Sequence, residues 1–163
     1  MERKNPREIG HLTYDALKKR IDLPSKERLE KGPVVIIECT EDIPCNPCVD
    51  ACPFEAISKE SLTTPPEVSY EKCTGCGECI PVCPGLAIFV VNMNYKGGKA
   101  LVSIPYEFLP VPEKGRKVNA LDRSGKRIGE AEVTYVRRGE RKTNVISVAV
   151  DRDLAMEARA VST

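Results

Sequence analysis

The sequence predicts an α+β protein in three parts, and three observations support this prediction. All eight cysteines lie in a middle part, residues 33–95, where two near-copies of one motif predict a core with pseudo-two-fold symmetry. Residues 96–163 alternate apolar and polar side chains, which is typical of half-buried strands and predicts a small antiparallel β domain. Residues 1–32 carry an apolar stripe at helical spacing and predict a helical extension.

The N-terminal part is predicted to be helical over residues 8–31. Pro24 should interrupt the helix, and Ser25 is a candidate N-cap for a further turn. Gly32-Pro33 should end it. The apolar stripe consists of Leu12, Ala16, Leu17 and Ile21.

The middle part is an internal repeat with an offset of 31 residues. Strands are predicted before the first motif at Val34–Ile37, before the second at Val68–Tyr70, and after it at Leu86–Val91, because each run is rich in apolar and β-branched residues. The equivalent pairs in the two copies are Cys45 and Cys76, Cys48 and Cys79, Cys52 and Cys83, Pro53 and Pro84, and Ala56 and Ala87.

The C-terminal part is predicted to form three to five antiparallel strands in a small barrel or sandwich. Hairpin turns are expected at Ser124-Gly125 and Arg138-Gly139. A short helix is expected over Asp153–Ala160, packing through Leu154, Met156 and Ala158. The predicted strands are Ala100–Ile104, Lys117–Leu121, Ile128–Val136 and Val145–Val150.

The cysteine spacing indicates iron–sulfur chemistry. The second motif, from Cys73 to Pro84, reads C-x2-C-x2-C-x3-C-P, which is the ligand run of a cubane iron–sulfur cluster. The first motif repeats its last three cysteines and ends at Pro53. Thiolates are soft anionic ligands that suit iron in a sulfide cluster. Gly75 and Gly77 should let backbone N–H groups approach the sulfides. We therefore expect two [4Fe–4S] clusters.

The last cysteine of each motif is expected to bind the cluster of the other motif, because a fourth cysteine on the same short loop cannot reach the same cube without strain. One cluster should then be held by Cys73, Cys76, Cys79 and Cys52. The other should be held by Cys45, Cys48, Cys83 and one more residue.

The identity of that last ligand stays open at the sequence level. The repeat offset aligns Cys73 with Asp42, whereas the nearest upstream cysteine is Cys39. Cys39 is favoured, because a thiolate binds iron better than a carboxylate does here. The alternatives are Asp42 as the ligand, or an open iron that leaves a three-iron cluster.

The same residues are compatible with two other interpretations, zinc binding and nucleic-acid binding. Eight cysteines could serve two structural zinc sites, but the spacing is more typical of iron–sulfur clusters. The basic run Arg137-Arg138 with Arg141-Lys142 could suggest nucleic acid, but few aromatics accompany it, and a solvated hairpin tip is favoured. His11, the single histidine, is assigned no chemistry.

The charge distribution suggests docking to a partner. The net charge is +1, but residues 33–92 carry two Lys/Arg against nine Asp/Glu, while both flanking parts are basic. No run reaches the roughly 18 apolar residues that would span a membrane. No apolar signal segment follows the amino terminus, so the cysteines are expected to bind metal in a cytoplasmic protein.

Residues 34–92 resemble the two-cluster bacterial ferredoxins through the two motifs described above. This resemblance implies a ferredoxin-like βαβ repeat that holds two [4Fe–4S] clusters close enough for electrons to pass between them.

The wider layout is similar to ferredoxin-like subunits of flavin-dependent amino-acid dehydrogenases of the proline, hydroxyproline or sarcosine type, found in anaerobes and archaea. The stretches that carry this likeness are Leu23–Ser25, Ile37–Cys39 and Ile43–Cys48, with the β-rich tail. It implies a non-catalytic electron-transfer subunit that forms a hetero-oligomer with a flavoprotein dehydrogenase. A free-standing ferredoxin shuttle and a binding protein with structural clusters are the alternatives.

Overall fold

The computed structural model describes residues 6–139 and 142–163. The first five residues, and Arg141 of the basic run, lie outside the described residues. Within them, the short helices are α1 (Pro6–Ile9), α2 (Tyr14–Leu17), α3 (Lys26–Glu30) and α4 (Pro47–Asp50). The strands are β1 (Val34–Ile37), β2 (Ile57–Ser58), β3 (Glu67–Val68), β4 (Ile88–Asn92), β5 (Lys99–Tyr106), β6 (Lys117–Leu121), β7 (Arg127–Arg137), β8 (Asn144–Asp151) and β9 (Ala160–Ser162).

The described chain is mostly antiparallel sheet with few helices. Seven strands form one sheet in the order β1-β4-β5-β8-β7-β6-β9, and every neighbouring pair is antiparallel. Strands β2 and β3 form a separate antiparallel pair. Ile36 of β1 and Val161 of β9, from opposite edges of the large sheet, lie in a single apolar core. The sheet therefore curls around that core.

The large sheet joins the middle and C-terminal parts of the chain. Strands β1 and β4 come from residues 33–95, and β5 to β9 come from residues 96–163. Strand β4 pairs with β5 across this boundary, with Val90 opposite Ser103 and Asn92 opposite Leu101. The division into three domains stays a prediction, and the sheet is continuous through the second boundary.

Strands β1 and β4 are buried on both faces. Ile36 and Phe89 point into the core of the curled sheet, whereas Ile37 and Ile88 belong to a second apolar cluster that includes Ile80 and several cysteines. A strand covered on both faces reads as a continuous apolar run rather than an alternating one, as both of these strands do. They thus form the wall between the β core and the cysteine-rich loops.

The prediction of a helix over residues 8–31 is wrong in its extent, because the segment forms short separate turns. Gly10 adopts a left-handed conformation with φ of 76°, and Thr13 caps α2 by accepting a hydrogen bond from the amide of Ala16. The predicted cap at Ser25 is confirmed, since its hydroxyl accepts from the amide of Arg28 at the start of α3. No helix among the described residues has the length and apolar character needed to cross a bilayer.

The predicted helix over Asp153–Ala160 is wrong in its extent, although its predicted packing through Leu154, Met156 and Ala158 onto the core is confirmed. A 3-10 turn occupies Arg152–Leu154, turns continue to residue 157, and the chain then extends into β9, which pairs with β6. Pairing satisfies the backbone groups that β6 would otherwise expose at the sheet edge. The predicted strands at β6, β7 and β8 are confirmed to within one residue at each end.

Candidate iron–sulfur centres

Four cysteines from both motifs line one cavity, here called the second cavity. Its other walls include the apolar residues Val35, Ala56 and Ile57, and in the described part of the chain they carry no charged side chain. The four cysteines are Cys52, Cys73, Cys76 and Cys79.

The remaining four cysteines line a further cavity, here called the first cavity. Ile37, Ile43 and Ile88 form apolar walls, and Lys59 contributes the one charged group among its described lining residues. Asp42 is exposed and is not among the residues that line it. The four cysteines are Cys39, Cys45, Cys48 and Cys83.

The structure therefore brings the candidate ligands together in two sets that exchange the last cysteine of each motif. Across the described residues, no three His, Cys, Asp or Glu side chains converge closely enough to hold a single metal ion. The cysteines instead line spaces with largely apolar walls, and four thiols around such a space fit the donor set of a cubane cluster. Their role as ligands stays a prediction.

The loop of the second motif depends on glycine. Gly75 and Gly77 have φ angles of 69° and 79°. Residues with a Cβ adopt this left-handed backbone conformation only at a cost in free energy. A Cβ on Gly75 would lie 2.6 Å from the carbonyl carbon of Pro33 and 2.7 Å from its oxygen. The loop consequently packs directly against the chain entering β1.

The two exchanged cysteines accept equivalent backbone hydrogen bonds. The amide of Ala56 donates to Sγ of Cys52 at 3.2 Å, and the amide of Ala87 donates to Sγ of Cys83 at 3.5 Å. Ala56 and Ala87 are equivalent positions of the repeat. Hydrogen bonds to a cluster sulfur stabilise its negative charge and tune the reduction potential of the cluster.

Burial raises the pKa of the deeper thiols, so they ionise readily only when a cation is nearby. Burial, with the nearby Cys76, raises the pKa of Cys79 to about 12. Burial also raises the pKa of Cys48, with a further contribution from Cys83 and Cys45. An iron core supplies the positive charge that allows such thiols to bind as thiolates, so cluster binding releases their protons.

Two basic side chains hold the backbone of the cysteine loops. The sequence analysis did not predict this role for either of them. Arg28 of α3 donates to the carbonyl oxygens of Tyr70 and Cys73, at 2.7 and 2.6 Å. Lys59 donates to the carbonyl oxygens of Cys45 and Leu62, at 2.5 and 2.8 Å. The repeat offset relates Lys59 to Val90 and not to Arg28, so no sequence signal marks this pair in advance.

A buried ion network anchors the strand end that precedes Cys39. Glu38 accepts hydrogen bonds from Arg123 at 2.6 and 2.8 Å and from Arg159 at 2.6 Å. Burial alone would raise the pKa of Glu38, but the hydrogen bond from Arg123 and the charge of Arg159 hold that pKa below its ordinary value. Arg159 lies over the ring of Phe89, 4.9 Å from its centroid. The network ties the edge strand β1 to the far end of the sheet.

Comparison with known proteins identifies the chemistry of this region. Residues 39–94, roughly a third of the chain, match the family model described as the LdpA Fe-S cluster-binding domain. The match includes every cysteine of the chain. This chain carries an iron–sulfur cluster-binding domain. No solved structure matches the chain.

Curated relatives support a ferredoxin-type protein. The polyferredoxin-like subunit of an aliphatic sulfonate oxidoreductase from Pyrococcus furiosus is 42% identical over 53 residues, which cover 32% of this chain and 28% of that protein. The polyferredoxin protein MvhB of Methanothermus fervidus is 40% identical over 52 residues, covering 28% and 13%. An uncharacterized ferredoxin of Methanocaldococcus jannaschii is 33% identical over 82 residues, covering 48% and 50%. The chain thus spans half or less of the length of these relatives.

Proposed function

We propose that this protein is an electron-transfer subunit that relays electrons through two [4Fe–4S] clusters, between a partner flavoprotein dehydrogenase and another carrier. The observation that carries the proposal is the pair of cavities, each lined by four cysteines drawn from both motifs. When bound, iron–sulfur clusters supply one-electron redox chemistry. The protein's own contribution is to hold the thiolates, exclude water and set the surrounding charge.

The linings of the two cavities support the proposed ligand sets. Cys52, Cys73, Cys76 and Cys79 would hold the cluster in the second cavity, called here the second cluster. Cys39, Cys45, Cys48 and Cys83 would hold the first cluster, in the first cavity. Because each motif lends its last cysteine to the other cavity, the two clusters would lie close together, as a relay requires.

A ferredoxin-like core with pseudo-two-fold symmetry is part of the proposal. Its support is the pairing of strands between the two copies, β1 with β4 and β2 with β3. The equivalent amide-to-sulfur hydrogen bonds at Cys52 and Cys83 add to that support.

A hetero-oligomer is favoured over a free-standing shuttle. One relative is named as a subunit of an oxidoreductase. Exposed apolar side chains also remain on the described surface, at Phe54 beside the second cavity and at Phe108 and Leu109 after β5. Such groups mark interaction surfaces when they cluster. The amino-acid dehydrogenase partner and the cytoplasmic location rest on the sequence resemblance and on cysteine usage.

Anaerobic purification from the native source tests the proposal. We expect a brown protein that carries about eight irons per chain, shows two reducible clusters by EPR, and co-purifies with a flavin-containing subunit. A protein with clusters but without a flavoprotein would support the free-standing shuttle instead. Midpoint potentials outside the range of about −700 to +450 mV would favour structural clusters. A colourless protein that holds zinc would contradict the proposal.

A further inference from the structure

The geometry points to Arg28 as a positioning residue for the second cluster, with Lys59 as its counterpart at the first. Each would hold one ligand loop by its backbone carbonyls and set a positive charge beside one cluster. The inference rests on the proposed two-cluster function and gives the N-terminal part a specific task there.

Arg28 ties two separate chain segments together with one guanidinium. It donates to the carbonyl oxygens of Gly32 and Pro33, at 3.3 and 3.0 Å, where the chain enters β1. It also donates to those of Tyr70 and Cys73, at 2.7 and 2.6 Å, where the chain enters the second motif. The planar guanidinium offers five N–H donors in a fixed arrangement, so one side chain can fix several carbonyls at once.

The surroundings leave the tied segments little freedom to move apart. Gly75 packs so closely on Pro33 that a Cβ there would lie 2.6 Å from the Pro33 carbonyl carbon. The hydroxyl of Tyr70 donates to the carbonyl oxygen of Asp22 at 2.6 Å, which adds a second tie between the N-terminal part and this loop. The carbonyl position of Cys73 constrains the direction of its side chain. Arg28 thereby orients a candidate ligand without touching the cluster.

Lys59 likewise binds backbone carbonyl groups of a cysteine loop at the first cavity, but with fewer hydrogen bonds. Its ammonium donates to the carbonyl oxygens of Cys45 and Leu62, and the amide of Cys45 donates to the same Leu62 carbonyl at 3.3 Å. Lys59 also lines the first cavity. Arg28 lies in helix α3 whereas Lys59 follows strand β2, so the two sites share a role but not a local structure.

The test replaces each cation by methionine, which keeps much of the apolar stem. In Arg28→Met we expect the second cluster to be lost to an iron chelator about 10- to 100-fold faster, by analogy with the loss of metal affinity that follows removal of residues that orient metal ligands. We also expect its midpoint potential to fall, because a nearby positive charge stabilises the reduced form. In Lys59→Met, the same changes should appear at the first cluster.

Controls separate positioning from general destabilisation. Lys26→Met removes an exposed positive charge from the same helix and should leave both clusters as in the wild type. Arg28→Lys keeps the charge but not the planar donor set. The midpoint potential of the second cluster should therefore be close to the wild-type value, whereas the rate of cluster loss should stay higher than in the wild type. This variant also keeps the test informative if Arg28→Met fails to fold.

The clusters are told apart with Cys76→Ala and Cys45→Ala, each of which removes a ligand from one set. The inference is supported if Arg28→Met alters the cluster that Cys76→Ala disrupts, and Lys59→Met the cluster that Cys45→Ala disrupts. It is overturned if Arg28→Met changes neither cluster, or changes both equally. A wild-type protein without two clusters would instead overturn the proposed function, and the inference with it.

Discussion

The loop around the second cavity is held from more sides than the loop around the first, although the last three cysteines of each motif have the same spacing. The second loop packs through Gly75 on Pro33 and is bonded by Arg28 and by Arg137, which donates to the carbonyl oxygen of Gly77 at 2.8 Å. Cys79 in this loop is only 6% exposed. A loop with this many fixed contacts opens rarely, because opening must break several of them together.

The first loop is held by fewer side chains among the described residues, although it is Cys76 of the second loop that is exposed. Ile43 and Leu62, on the chain segments that flank Cys45, are 48% and 58% exposed, and Lys59 joins those segments. Its firm anchor lies at its start, where Glu38 precedes Cys39 and binds two buried arginines. The difference teaches that the two copies share the last three cysteines of the motif but not the contacts that support their loops. We therefore expect the first cluster to be the more labile of the two.

The largest expected effect separates crossed from uncrossed ligation. Cys52 belongs to the first motif but lines the second cavity. In Cys52→Ala we expect loss or conversion of the same cluster that Cys76→Ala affects, because a cubane site that loses one of four thiolates becomes unstable. Iron and sulfide analysis with EPR would show this. If Cys52→Ala instead resembled Cys45→Ala, each motif would hold its own cluster and the comparison between the cavities would fail.

The second prediction concerns the ligand that differs most between the loops. Cys39 lines the first cavity, whereas Asp42 is exposed and lies outside that lining. In Cys39→Ala we expect the first cluster to lose an iron or to be absent, while Asp42→Ala keeps both four-iron clusters. Mössbauer or EPR spectra of the two variants make the comparison. Two intact four-iron signals in Cys39→Ala would rule Cys39 out as a ligand.

The third prediction tests the anchor of the first loop. Glu38→Gln leaves the guanidinium groups of Arg123 and Arg159 buried without their shared carboxylate. We expect the free energy of unfolding to fall by about 3–5 kcal/mol, as when one partner of a buried ion pair is removed. Anaerobic denaturant titration measures it. Glu157→Gln is the control, because Glu157 is 39% exposed and its loss should cost about 1 kcal/mol or less.

The fourth prediction tests the close packing of the second loop. Gly75→Ala adds both left-handed backbone strain and a contact 2.6 Å from Pro33, so we expect a loss of about 3 kcal/mol in unfolding free energy. Gly115→Ala is the matched control, since Gly115 has φ of 87° but a Cβ there would meet no described atom within 4 Å. It should cost about 1 kcal/mol. Equal effects of the two variants would show that Pro33 does not restrict the loop.

The sequence predicted well those features that depend on local spacing. The motif predicted which cysteines would share a cavity but left Cys39 open against Asp42, and the role of these cysteines as ligands stays a prediction. Strands β6 to β8 followed from apolar alternation and turn residues. The apolar stripe predicted a helix over residues 8–31, so the separate turns and the break at Gly10 were not predicted. Strand β9 was missed because its place depends on pairing with β6, about 40 residues earlier in the chain.

The side chains that hold the cysteine loops could not be predicted from local sequence patterns. Arg28 appeared as one of many charged residues in a predicted helix, and its partners Tyr70 and Cys73 lie more than 40 residues away. The same holds for Arg159, whose partner Glu38 is 121 residues distant. No periodicity or spacing rule links such positions, because only the tertiary fold brings them together. A single sequence thus predicts ligands more readily than the residues that hold them.

The smallest expected effect concerns the outer contact of the second loop. Arg137 pairs with Glu78 and with the carbonyl oxygen of Gly77, but both side chains of the ion pair are partly exposed, at 30% and 51%. Water screens such a pair, so Arg137→Ala should lower the unfolding free energy by about 1 kcal/mol or less and leave cluster content unchanged. Lys99→Ala, which breaks the exposed pair with Asp151, should behave alike. Selective loss of the second cluster in Arg137→Ala would mean that the sheet, and not α3, provides the decisive support for this loop.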